Sequence, residues 1–213
     1  LLYYNVIFVV LFILAGLPNR VQAHPHSFIV MNAKPVVKDD QLTGLSMVWT
    51  MDEITSADLL YDAGDAKPDS VVWKKLAAEV MANVLGQHYF SEFWHQGKRV
   101  KFVNLPPEYR LYRHGAKAVL TFILPLAKPQ PLAGQQYTFV TFDPTYFVDM
   151  YYDSPDDLQL PDALKARCRF DLHTPAVNSA LKNYALSLDK ADAPPADVDL
   201  GRQFAQTVTL TCQ

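Results

Sequence analysis

The sequence predicts an α+β fold in which most of the sheet is antiparallel. Three observations lead there. Short apolar runs of strand character outnumber helical ones, most are joined by tight turn residues, and the main helical patterns are grouped between Asp52 and His95.

The elements follow in order. His26 to Met31 reads as a strand, Asp39-Asp40-Gln41 as a turn, and Leu42 to Met51 as a second strand paired with the first, with Leu45, Met47 and Trp49 on one face. Asp52 to Leu60 turns helical, with acids in its first turn. After a Gly/Asp/Pro loop at Ala63–Ser70, Val72, Leu76, Val80, Val84 and Leu85 recur at helical spacing behind a cap at Asp69 or Ser70. Gly86 interrupts this helix, and His88 to His95 is expected to continue as a further helical segment, with both histidines on one face. Lys98 to Val103 reads as a strand. Tyr109–Tyr112 and Ala118–Leu124 read as a hairpin around His114-Gly115, and Pro125–Pro131 as a proline-rich connection. Gln136–Phe142 and Tyr146–Tyr151 are expected strands around Asp143-Pro144. Arg167–Leu172 is a further strand, Val177–Leu188 a short helix, Ala191–Val198 a linker and Phe204–Cys212 a terminal strand. The helices form an insertion in a single domain spanning 24–213.

Composition narrows the function. Of 213 residues half are hydrophobic, enough for one good core, and the formal net charge is −3. No lysine or arginine cluster is present, which argues against nucleic acid as a partner. The apolar run Val6–Leu17 has signal-peptide rather than membrane-spanning length, and Pro18 and Val21-Gln22-Ala23 follow it. Residues 1–23 are therefore expected to be a cleaved export signal, or an anchor if uncleaved. The chain begins without Met or a basic n-region, so a few residues are expected to precede Leu1. Two cysteines in an exported chain, Cys168 and Cys212, predict a disulfide joining the final strand to an earlier one.

Cleavage after Ala23 would leave His24 at the N-terminus. Its amine, its ring and the His26 ring would then lie within three residues, a donor set suited to Zn²⁺, Ni²⁺ or Cu²⁺. Pro25 excludes the square-planar amino-terminal copper and nickel mode, because that mode needs a deprotonated amide at the second residue and proline has no N–H. A carboxylate must come from elsewhere. Asp143 reads either as a metal ligand or as the cap of its Asp-Pro turn. No GxSxG, phosphate-binding loop, GxGxxG or HExxH pattern is present, so an enzyme is not expected and no small-molecule substrate is evident.

His24-Pro25-His26-Ser27-Phe28-Ile29, Trp49-Thr50-Met51-Asp52-Glu53, His88-Tyr89-Phe90 and Phe142-Asp143-Pro144-Thr145-Tyr146 occur in that order. Together they resemble a bacterial family of periplasmic proteins whose mature chains begin His-Pro-His-x-Phe. Their genes often lie beside NicO-type nickel/cobalt permeases, and one branch is similar to the periplasmic component of a two-component zinc uptake system. The resemblance spans His24 to about Tyr151. It departs at Ala63–Ser70, where Lys67-Pro68 stands in place of a Gly/Asp/Glu-rich segment. It implies a periplasmic protein that binds a divalent metal, zinc first and nickel/cobalt or copper next, and passes it to an inner-membrane permease. Two other readings stay open. One is a copper site of histidine-brace type completed by His95 or His114. The other is a metal-free permease-docking subunit using Tyr89–Trp94.

Overall fold

The computed structural model describes residues 25–188, 194–195 and 198–213. The expected leader, His24 and most of the expected linker at Ala191–Val198 lie outside the described residues.

The first hairpin carries the alternation seen in the sequence. Strands β1 (Ser27–Lys38) and β2 (Gln41–Met51) pair antiparallel, and Ile29, Met31, Ala33, Leu45, Met47, Trp49 and Met51 are all buried. Their two-residue link, Asp39-Asp40, has positive φ at both positions (50° and 60°), the mirror-image turn whose twist matches a right-twisted hairpin. Aspartate tolerates that region better than most residues. Gly44 answers a different need. A Cβ there would sit 2.5 Å from the Leu124 carbonyl oxygen, so the close approach of β2 to its neighbour at this register shift requires glycine.

Helix α1 (Glu53–Ala63) starts at Asp52, whose carboxylate accepts from the Thr55 amide at 2.8 Å. Ser56 docks it: its hydroxyl donates to the Asp52 carbonyl and accepts from the Ala118 amide at 2.8 Å. Helix α2 (Val71–Gly86) buries Trp73, Leu76, Ala77, Met81 and Val84. The expected continuation of helix through His88–His95 is not what forms. A left-handed 3-10 turn covers His88–Phe90, and Ser91–His95 is strand β3, with Ser91 and Phe93 buried. Phe93 and Trp94 suit a pleated surface, and this preference prevails once Gly86 has ended the helix.

Strands β4 (Lys98–Val100), β5 (Tyr109–His114), β6 (Lys117–Pro131), β7 (Gln136–Thr141), β8 (Val148–Tyr151), β9 (Cys168–His173) and β10 (Thr207–Cys212) complete two five-stranded sheets. Their orders are β5-β6-β2-β1-β8 and β4-β3-β7-β10-β9. The β5–β6 hairpin is as expected, but β6 runs on through the supposed proline-rich connection to Pro131. Its prolines are tolerated where pairing is already irregular or ending: Pro125 lies opposite Gly44 at the register shift and Pro131 opposite Gln41 at the last pair. Gln136–Thr141 and Val148–Tyr151 are both strands, yet they belong to different sheets. Strand β8 pairs parallel to β1, the one parallel ladder among the described strands.

Three more helices among the described residues are short: α3 (Asp162–Lys165), α4 (Ser179–Ser187) and α5 (Leu200–Phe204). Residues expected in the terminal strand from Phe204 thus divide, with Phe204 ending α5 and the strand starting at Thr207. Residues of both sheets and of α1 and α2 join in one core cluster, in which Trp49 meets the Phe122 ring edge-on at 4.9 Å. No helix among the described residues is long and apolar enough to cross a membrane.

Cys168 and Cys212 are bonded, as expected, between register partners of β9 and β10, closing a separation of 44 residues. A loop of that length restricts the unfolded chain by about 3–4 kcal/mol. Cys168→Ser/Cys212→Ser should lose about that much stability in urea unfolding, and wild-type protein should fall to the same midpoint when dithiothreitol is added.

Candidate functional site

The start of β1 is where the sequence places its chemistry, and three local devices hold it. The His26 amide donates to the Phe147 carbonyl at 2.9 Å, and the His26 ring lies 4.9 Å from the Phe147 ring. Two residues on, the Phe28 amide donates to the Asp52 carboxylate at 2.6 Å while the Asp52 amide donates back to the Phe28 carbonyl at 2.9 Å. The parallel ladder then sets Ser27 opposite Val148 and Phe28 opposite Asp149. One carboxylate therefore caps α1 and clamps β1 at once. Burial alone would raise the Asp52 carboxyl, but the hydrogen bonds from Thr55 and Phe28 outweigh it and hold it below its ordinary value.

The segment against which His26 lies is the turn that begins at Asp143. The buried Asp143 carboxylate accepts from the Thr145 amide (3.0 Å), the Thr145 hydroxyl (2.9 Å) and the Val148 amide (3.1 Å). The Tyr146 amide donates to the Asp143 carbonyl at 2.9 Å. Of the two roles read from the sequence, the turn cap is therefore formed. The Thr145 hydroxyl lies 2.9 Å from both carboxylate oxygens, so each oxygen of Asp143 has two hydrogen-bond contacts. From the other side Gly201 seats the turn. Its amide donates to the Pro144 carbonyl, and a Cβ at Gly201 would fall 1.7 Å from the Asp143 carbonyl oxygen. Tyr146, at φ 59°, stacks on Phe204 at 4.0 Å.

Two further groups, Asp149 and Tyr151, lie on β8 opposite Phe28 and Val30. Asp149 is half-buried beside the Tyr146 hydroxyl. Burial raises its carboxyl, and the hydrogen bond from Tyr146 offsets only part of this. Tyr151 is raised first by burial and then by the charges of Asp153, Asp149 and Asp52, which marks this end of β1 as acidic. Such a mouth attracts cations. Asp149 and Asp153 bracket Tyr151 in the chain, and the parallel pairing of β8 with β1 brings Asp52 to them.

The other histidines are elsewhere. His95 Nε2 bonds Gln135 at 2.8 Å, and its ring packs on Tyr137 at 4.6 Å. His114 ends β5, three strands from β1, or about 14 Å across the sheet. His88 and His95 do not share a helical face, since one lies in the left-handed turn and the other on β3. Tyr89 and Phe93 are buried, so the segment read as a docking surface is largely core. Among the described residues no group of three or more His, Cys, Asp or Glu side chains converges to hold a metal ion.

Two outcomes follow. Gly201→Ala forces a Cβ into backbone and should cost at least about 1–3 kcal/mol in urea unfolding. Asp149 in the folded chain holds its proton more tightly than in the unfolded chain. Its contribution to stability is therefore largest below the unfolded value of about 3.9 and declines as pH rises through the raised folded value. Asp149→Asn should be more stable than wild type at neutral pH, with the gain fading at about pH 3.5; an equal gain at both would show that charge is not its source.

No solved structure matches the chain. A protein described as uncharacterized from Haemophilus influenzae strain Rd is 37% identical over 194 residues, covering 91% of this chain and 93% of its own length. Residues 9–212 match a family described as protein of unknown function, DUF1007, and the chain belongs to that family.

Proposed function

We propose that this is a periplasmic accessory protein of a metal-ion transport system. It captures a divalent cation, zinc first and nickel or cobalt next, at His24 and His26 with Asp143 as the carboxylate, and passes it to an inner-membrane permease. The observation that carries the reading is the hydrogen bond from the His26 amide to Phe147. It holds the second histidine against the turn that Asp143 organises, at an acidic end of the sheet.

The donor set suits the cargo. Imidazole nitrogens, an N-terminal amine and a carboxylate oxygen are ligands that Zn²⁺ and Ni²⁺ accept readily. A site assembled at a strand entrance rather than inside the core also suits a carrier that must release what it binds. Export and a permease partner are supported by the apolar leader pattern, by the disulfide and by the resemblance of the His-Pro-His and Asp-Pro-Thr-Tyr segments.

Calorimetry with zinc on protein beginning at His24 tests the reading. His24→Ala/His26→Ala should weaken binding by more than about tenfold, since even residues behind the ligands typically cost 10–100-fold. Affinity should also fall as pH drops below about 6.5, where protonated imidazole no longer coordinates. Zinc affinity unchanged in the double variant would refute the assignment.

A further inference from the structure

A cavity of about 890 Å³ opens between the turn after α2, the segment Arg99–Asn104 and the Phe142–Pro144 turn. That volume lies in the range of small-molecule sites. Its apolar wall includes Phe90, Phe102 and Phe142, and its polar lining includes His88, Arg99 and Lys101. Glu92 also lines it, but this acid is already neutralised: Arg202 lies 2.6 Å and Arg99 3.6 Å from Glu92 Oε1. Arg202 also sits 4.6 Å over the Phe142 ring. Arg202 also pairs with Asp199 at 2.7 Å, so Arg99, Lys101 and Arg202 stand against the two carboxylates of Glu92 and Asp199, and the balance around the cavity is positive by one charge.

The wall is built from strained backbone. His88, Tyr89 and Phe90 have φ of 50°, 61° and 51°, three consecutive L-residues in the left-handed region. Such a conformation persists only where its surroundings impose it, and ligand clamps are among the places it recurs. Here the fastenings are several. The Tyr89 hydroxyl donates to the Val103 carbonyl at 2.8 Å, the Ser91 hydroxyl to the Tyr89 carbonyl at 2.8 Å, and the Phe142 amide to the Phe90 carbonyl at 2.8 Å. Ser91 and Thr141 hydroxyls meet at 2.9 Å beneath the turn. Burial pushes the Tyr89 phenol up to about 12, so it stays a neutral donor.

We propose that this cavity binds a small organic anion. Its aromatic or branched apolar body would lie against Phe90, Phe102 and Phe142, and its single carboxylate or sulfonate would lie at Arg99 and Lys101. The apolar wall accounts for the body and the unbalanced positive charge for the anion, while the pinned turn keeps the wall preformed, which lowers the ordering cost of binding. This site is separate from the proposed metal ligands, and its test uses metal-free protein throughout.

Two fluorescent probes with the same aromatic body decide it: 1-anilinonaphthalene-8-sulfonate and the neutral N-phenyl-1-naphthylamine. The wild-type protein should bind one sulfonate probe per chain, more than about tenfold tighter than the neutral one, as expected for a charge-assisted contact. In Arg99→Ser/Lys101→Ser the sulfonate probe should fall to the affinity of the neutral probe, whose own binding stays unchanged. Both replaced residues are exposed, so the fold should survive. Equal affinities in the wild type, no binding of either probe, or discrimination that survives in the double variant would each overturn the proposal. The wild-type comparison stands even if the variant fails to fold.

Discussion

The hydrogen bonds to the Asp143 carboxylate are the constraint on which the site depends. They close the turn that carries the chain out of one sheet and into the other. Strand β7 lies within the β4-β3-β7-β10-β9 sheet; β8, separated from it by the six residues 142–147, is the edge of the other sheet. A buried carboxylate without partners would be costly, so accepting the Thr145 and Val148 amides both satisfies the acid and dictates the path of the backbone. Strand β8 can then lie parallel to β1, and the Phe147 carbonyl becomes available to His26.

The same joint is held from outside by a residue of extreme economy. Gly201 touches the Asp143 carbonyl more closely than any side chain would permit, and the stacking of Phe204 on Tyr146 closes the contact. The short helix α5 thus supports the site although its own sequence is far from it. On the opposite side Asp52 couples the helical insertion to β1 by serving as N-cap and strand clamp together. Both supports act at the entrance of β1, where His26 lies.

Strand pairing also explains why the two proposed sites differ in kind. The end of β1 gathers Asp52, Asp149 and Asp153 around Tyr151 and is suited to cations. The cavity beyond the same Asp143 turn has Arg99, Lys101 and Arg202 against Glu92 and Asp199, an excess of one positive charge that suits an anion. Phe142 and Pro144, which line that cavity, flank the aspartate that organises the cation end, so opposite fields lie on either side of one turn.

Local pattern was enough for the elements whose burial follows a simple period. The alternation in β1 and β2, the Asp39-Asp40 turn, the acidic start of the first helix, the spacing of Leu76 and Val84, and the Cys168–Cys212 pairing were all legible in the residues, whereas Val72, read on the same face, is exposed and Trp73 is buried instead. Where the reading missed, a neighbour had overruled local preference. His88–His95 looked helical by its spacing, but the adjoining β7 strand offered Phe93 and Ser91 a ladder to join. The prolines of Pro125–Pro131 looked like a break, but β6 absorbs them in a register shift, its extra residues lying between Pro125 and Gln130 while β2 passes from Gly44 to Leu42. In the site, His26 and Asp143 could be named from sequence because each carries its chemistry in its own motif, as could the turn that Asp143 caps. Gly201 and the Glu92–Arg202 pair could not, because their roles exist only between segments far apart in the chain. The sequence by itself therefore determined the local elements and the disulfide. Tertiary structure decided the parallel placement of β8 and with it which acids share the end of β1, because backbone pairing between distant strands obeys the packing of the whole sheet and leaves no local periodic trace.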